Sequence, residues 1–157
     1  MTTIHATRNS AETGLADKLL AIPRTLDRIP LSLVQLAARL AVGRVFWASA
    51  QTKLASFQVT EQLFAYEYNL PLLDPATAAR LATAAELVGA VLLFAGLFTR
   101  FGALILLGVT ATIQIFVFPG NWPDHALWGS LLALLLARGG GAFSLDYLAG
   151  RLFGNRA

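Results

Sequence analysis

The chain has 157 residues, of which 56% are hydrophobic and 13% charged, with a formal net charge of +3. Soluble domains lie nearer ~45–50% apolar and ~25% charged, so the composition points to a membrane protein, and the length suits one domain. The basic residues are not clustered with aromatics, so no nucleic-acid partner is expected; without cysteine, thiolate catalysis and Cys-ligated clusters are excluded within this chain.

His5 and His125 lie far apart, and neither belongs to a metal-ligand spacing. No P-loop or GxSxG motif occurs. Gly139–Gly141 follows an apolar helix and does not link a strand to a helix, so a phosphate cradle is not expected there. No metal is expected.

Met1–Thr13 is polar and lacks the apolar core of a signal peptide. From Gly14 to Ile29, the apolar residues Leu15, Leu19, Ile22, Leu26 and Ile29 form a narrow helical stripe, with Lys18, Arg24 and Arg28 off it. This predicts an amphipathic helix bent near Pro23, lying on an anionic leaflet or packed as a tail on the bundle.

The first span is expected over about 31–56, after Pro30. Phe57–Thr77 follows, aromatic and acidic, with no Lys or Arg. It reads as an ordered external cap, with Thr60 capping a short helix through Tyr68. A second span is expected over about 78–97, interrupted by Glu86, and a third over about 101–118, with Gln114 as its polar insert. The turn Pro119–Pro123 leads to a short fourth span over about 124–137, and residues 139–157 form an amphipathic tail.

The placement of charge tests this count. Eight of the twelve basic residues fall in the two tails and the span 2–3 turn, and none falls in the span 1–2 or span 3–4 loops. Lys and Arg favour cytoplasmic loops. The expected architecture is therefore all-α: an integral membrane four-helix bundle with both termini cytoplasmic and amphipathic surface helices at the tails.

Ions inside the spans need partners, because a cation in hydrocarbon costs at least ~2.5–3.5 kcal/mol. Arg39, Arg44 and Lys53 are the cations of span one, and Glu86 is the deep carboxylate of span two. Arg39 and Lys53, two heptads apart, share a helix face with Gly43, Phe46 and Ala50; Arg44 lies about 140° from Arg39. That face is expected to meet span two. Whether Glu86 pairs with Arg44 or with the Arg39/Lys53 face stays open. Lys53, Gln114, His125 and Glu61 are candidates to surround an outer cavity. The bland alternatives are a helix–helix hydrogen bond for Gln114, a helix-end residue for His125, interfacial anchors for Trp122 and Trp128, and packing points for Gly89, Gly96, Gly102 and Gly108.

These residues also carry a family resemblance. Arg39, Leu40, Gly43, Phe46 and Lys53 match one pattern. Glu86, Gly89, Gly96, Leu97, Thr99 and Arg100 match a second, and Gly141, Ser144, Leu145 and Asp146 a third. In this order and spacing the chain resembles the DoxX family. Ala50 stands where the family often has glycine. The stretch PGNWPDHALW is similar to DoxX-like members encoded beside proteins for modified-peptide metallophores and copper stress. The resemblance implies a multi-pass protein of the bacterial inner membrane with four helices. It leaves two functions open. One is a non-catalytic accessory or assembly factor in a stress or copper context, with a membrane or periplasmic protein partner or a second copy of itself; this reading is preferred on sequence. The other is a quinone-interacting subunit of an oxidoreductase complex, with the headgroup against Arg39, Lys53, Glu86 and Gln114. No intrinsic cofactor is expected, quinone being the candidate ligand; whether the chain is an enzyme is left open.

Overall fold

A computed structural model describes residues 29–68, 70–71 and 73–153. The helical core and the two cavities described below all lie within Ser32–Ala157. The amphipathic helix expected over residues 14–29 falls almost wholly outside the described residues.

Every regular element among the described residues is helical. Helix α1 is Leu31–Ala55, α2 is Phe57–Leu63, α3 is Pro75–Ala95, α4 is Thr99–Thr112, α5 is Trp122–Arg138 and α6 is Leu145–Phe153. Two single π-helical turns extend them, Phe64–Tyr68 after α2 and Ile113–Val117 after α4. Among the described residues, three segments are long and apolar enough to cross a membrane: Leu31–Ala55, Pro75–Ala95 and Thr99–Val117. At ~1.5 Å per residue the shortest reaches ~28 Å, close to the ~30 Å hydrocarbon core. Helix α5 has 17 residues and begins at Trp122, two residues before the sequence-based start.

The local chemistry explains where these helices stop. Asp74 opens α3: its Oδ2 accepts from the Thr77 amide at 2.9 Å, and Pro75 occupies the first turn, where no amide partner is needed. Gly96 closes α3 at φ 64°, with Leu97 N–H donating to Leu92 O and Gly96 N–H to Leu93 O. This paired closure needs a left-handed residue, which glycine adopts without a Cβ penalty. The first amides of α4 are capped from a distance in sequence: Asp146 accepts from Phe98 N at 2.7 Å and from Thr99 N at 2.8 Å. Ser144 in turn caps α6, accepting from Tyr147 N at 3.2 Å.

Thr60 does not cap a helix. It lies buried inside α2, and its hydroxyl donates to Lys53 O at 3.1 Å and Ser56 O at 3.2 Å. It therefore ties the cap segment to the end of α1.

The core draws on four helices: Ala38, Val42 and Phe46 of α1, Ala90 and Leu93 of α3, Ala103 and Leu106 of α4, and Leu132 and Leu135 of α5. Small residues set the helix spacing. A Cβ on Gly89 would sit 2.5 Å from Leu106 Cγ, and one on Gly43 would sit 2.9 Å from Phe94 Cε1. Gly108 differs, because a Cβ there would meet nothing within 4 Å. A second cluster, Phe64 with Ala78 and Ala79, seats the cap segment on the start of α3.

Candidate functional site

Arg39 and Lys53 lie on the same buried face of α1, ~21 Å apart along its axis. Both meet α3, at opposite ends of the bundle, and they do different things there.

Arg39 is 1% exposed. Its Nε donates to Leu93 O at 2.7 Å and its NH2 to Phe94 O at 2.9 Å, both carbonyls in the last turn of α3. Its NH1 donates to Phe143 O at 2.8 Å and Gly140 O at 3.2 Å. The helix C-terminal dipole and four carbonyl oxygens thus balance a buried cation, while the guanidinium satisfies carbonyls freed where α3 and α5 end. Gln35 adds to this lock, donating to Arg138 O and Gly139 O. Arg39 is remote from Glu86 in this arrangement and takes no part in the cavity at the other end. Arg44 also stands apart, exposed on α1, and so leaves the buried cluster that sequence reasoning placed it in.

Lys53 settles the pairing of Glu86. Its Nζ donates to both carboxylate oxygens, at 2.9 and 2.8 Å, and to Ser49 Oγ at 2.7 Å. An ammonium has three protons, and all three are used. Glu86 is 1% exposed.

This ion pair forms part of the wall of a cavity of about 510 Å³ at the end of the bundle that carries α2. Ligand sites are commonly ~300–1,000 Å³, mostly apolar, with a few convergent polar groups. Here the polar groups are Lys53, Glu86, Ser49, Tyr68, Thr112, Asn121 and His125. Leu81 of α3 and Gly108 and Thr112 of α4 line the cavity and are also exposed on the bundle surface, so it opens sideways between these two helices. Both π-helical turns form its rim. Phe64 and Tyr68 come from one, Ile113 and Val117 from the other, and the Tyr68 and Phe118 rings meet edge-on at 5.9 Å across it. Single π turns inside helices often mark functional sites.

Gln114 and His125 form one unit. Gln114 Nε2 donates to Pro119 O at 2.8 Å, and a carbonyl can only accept, which fixes the amide orientation. Gln114 Oε1 therefore faces His125 Nδ1, at 2.6 Å, and Nδ1 must be the donor. In the neutral ring this leaves Nε2 as an acceptor, with no hydrogen bond among the described residues. His125 is 4% exposed; its ring packs against Trp128 at 5.2 Å, and the residue lines the cavity.

Tyr68 supplies the opposite polarity. Burial first, and then the Glu67 and Glu86 carboxylates, push its phenol up from the ordinary value, so it keeps its proton as a donor. Glu61, a candidate for this cavity on sequence, instead faces Arg80 at 3.6 Å on the surface. Sequence reasoning did not single out Ser49, Tyr68 or Asn121 for the cavity. The signal for Ser49 was its place one helical turn before Lys53; Tyr68 was visible only as one aromatic of the cap.

A DoxX family model matches residues 34–119. The chain belongs to the DoxX family. The matched stretch runs from α1 to the turn before α5 and contains Lys53, Glu86, Tyr68 and Gln114; His125 lies beyond it. Comparison with curated proteins and with solved structures finds no match. The apolar helices and the family together identify a membrane protein of the DoxX family.

Proposed function

We propose that this DoxX protein binds a lipophilic ring compound of the quinone class in the cavity beside Lys53 and Glu86, as the quinone-interacting subunit of a membrane oxidoreductase. The observation that carries this reading is the cavity itself: an apolar chamber with a buried ion pair, a phenol donor and an imidazole acceptor in its walls. A quinone headgroup offers carbonyl acceptors and, when reduced, hydroxyl donors. Tyr68 suits the first and His125 Nε2 the second. Lys53 has no proton to spare, so its part is to hold the Glu86 carboxylate in place. The side opening between α3 and α4 gives an isoprenoid tail a path into the bilayer. Quinone supplies two-electron redox chemistry when bound, and a partner protein supplies the electrons.

In this reading α5 is a fourth crossing and both termini face the cytoplasm of a bacterium, in line with the placement of Lys and Arg. The cavity then lies in the outer half of the inner membrane. The test is solvent extraction of protein purified without added ligand, followed by mass spectrometry. Quinone near one equivalent is expected in wild type and not in Tyr68→Phe/His125→Phe; equal, trace amounts in both overturn the reading.

A second reading keeps the chain as an accessory or assembly factor in a stress or copper context. The observation in its favour is the outer surface of the cap, where Tyr66 is 88% exposed beside exposed Val59 and Leu63. Phe64 does not belong to that surface, since it is buried at the cavity rim.

A further inference from the structure

The opposite end of the bundle carries a second recess, of about 560 Å³, walled by the start of α4, the glycine run 139–141 and the start of α6. Arg100 and Arg138 line it, and neither forms an ion pair among the described residues. The Arg138 side chain makes no hydrogen bond among them either, while Arg100 donates to Ala137 O at a long 3.3 Å. The carboxylate in the recess, Asp146, is already engaged by the Phe98 and Thr99 amides. Among the described residues, two guanidiniums therefore remain for an anion.

A further observation points to a ligand here. Thr99 is fully buried in the wall of the recess, and its Oγ1 has no hydrogen-bond partner among the described residues. A buried hydroxyl left unpaired is costly, so a missing acceptor is expected beside it. Phe98, also in the wall, holds φ at 46°, a left-handed conformation that a residue with a Cβ adopts only at a cost. Phe98 is 66% exposed. Phe101 and Phe143 are exposed nearby, and α6 has no buried residue, with Leu148, Leu152 and Phe153 all exposed. An amphipathic helix of this kind lies in the membrane interface, which sets this recess at headgroup level.

We propose that this recess binds the phosphodiester headgroup of an anionic phospholipid. Arg100 and Arg138 hold the phosphate, the Thr99 hydroxyl donates to one of its oxygens, and Phe98 and Phe101 lie along the upper acyl chains. Basic recesses between helices at a membrane surface select anionic headgroups in this way. The site is independent of the quinone-class cavity at the other end.

The experiment uses full-length protein in neutral detergent, with thermal unfolding measured after adding phosphatidylglycerol, phosphatidylcholine or sodium phosphate. Phosphatidylglycerol is expected to raise the midpoint well above phosphatidylcholine at equal concentration, and sodium phosphate to leave it unchanged. The Arg100→Gln/Arg138→Gln variant is expected to need roughly tenfold more phosphatidylglycerol for the same shift. Arg44→Gln, which removes an exposed cation elsewhere, is expected to respond as wild type. Equal responses to the two lipids, a shift with phosphate alone, or the same loss in Arg44→Gln would each overturn the proposal. If the double variant does not fold, Arg138→Gln alone serves, and an unaltered lipid response there is equally contrary. Phe98→Gly adds a second readout: it should be more stable in lipid-free detergent yet gain less from phosphatidylglycerol, and a full gain counts against the site.

Discussion

Lys53 on α1 holds both carboxylate oxygens of Glu86 on α3, and with Ser49 it spends every proton of its ammonium doing so. Glu86 is the more buried partner, at 1% exposure against 17% for Lys53. Removing the carboxylate strands a cation at the cavity wall. Glu86→Leu is therefore expected to lower stability by ~3–5 kcal/mol, and Glu86→Gln by less. Lys53→Met combined with Glu86→Leu should recover much of the loss, because no charge is left unpaired. Thermal unfolding in detergent measures all three. A double variant as unstable as the sum of its single changes would show that the pair does not act as a unit.

The glycines divide by what surrounds them. Gly96 has φ 64°, and a Cβ there would lie 2.5 Å from Arg39 NH2. Gly96→Ala should cost at least ~1–2 kcal/mol from backbone strain alone, with more from displacing the Arg39 lock. Gly108→Ala meets nothing and replaces a mid-helix glycine, so it should be neutral or stabilising by up to ~1 kcal/mol. Unfolding midpoints that fell equally for both would contradict this division.

Asp74 gives a pH dependence. Its hydrogen bonds from Thr77, side chain and then backbone, hold its carboxyl below the ordinary carboxylate value. A carboxyl depressed on folding stabilises fully above the unfolded value, near ~3.9, and loses that contribution as pH falls through the folded value. The stability gap between wild type and Asp74→Ala should thus be complete at neutral pH and shrink in acid, below pH ~4. A gap that stayed constant from pH 7 to pH 3 would remove the charged cap from the account.

Much of this arrangement could be read from spacing. Arg39 and Lys53 lie fourteen residues apart, and the face they share, with Gly43, Phe46 and Ala50, is the buried one. Arg44, about 140° around the helix from Arg39, is exposed for the same geometric reason. The partner of each cation could not be read that way, since it depends on how far α1 and α3 slide past one another. The lock around Arg39 was hidden because its acceptors are backbone carbonyls, which every residue carries. Within the segment read as an external cap, Phe64 is buried at the cavity rim. It opens a π-helical turn, and the wider winding there shifts the faces expected from a 3.6-residue period.

The proposed topology rests on the charge bias and has a direct check. Reporter fusions in the 118–121 turn should report the exterior, and fusions after residue 157 the cytoplasm. The reverse pattern, or the same compartment for both, would contradict a fourth crossing by α5.

The central claim is that the cavity beside Lys53 and Glu86 takes a quinone-class ligand between a phenol donor and an imidazole acceptor. Titration of purified protein with a short-chain quinone, followed by tryptophan fluorescence, tests it most directly, because Trp128 lines the cavity beside His125. Saturable quenching is expected in wild type, with affinity roughly tenfold weaker in Tyr68→Phe, as befits the loss of one buried hydrogen bond of ~1–1.5 kcal/mol. Tyr66→Ala, on the outer surface of the cap, should bind as wild type. No saturable binding in wild type, or equal binding in wild type and a Tyr68→Phe/His125→Phe double variant, would contradict the account.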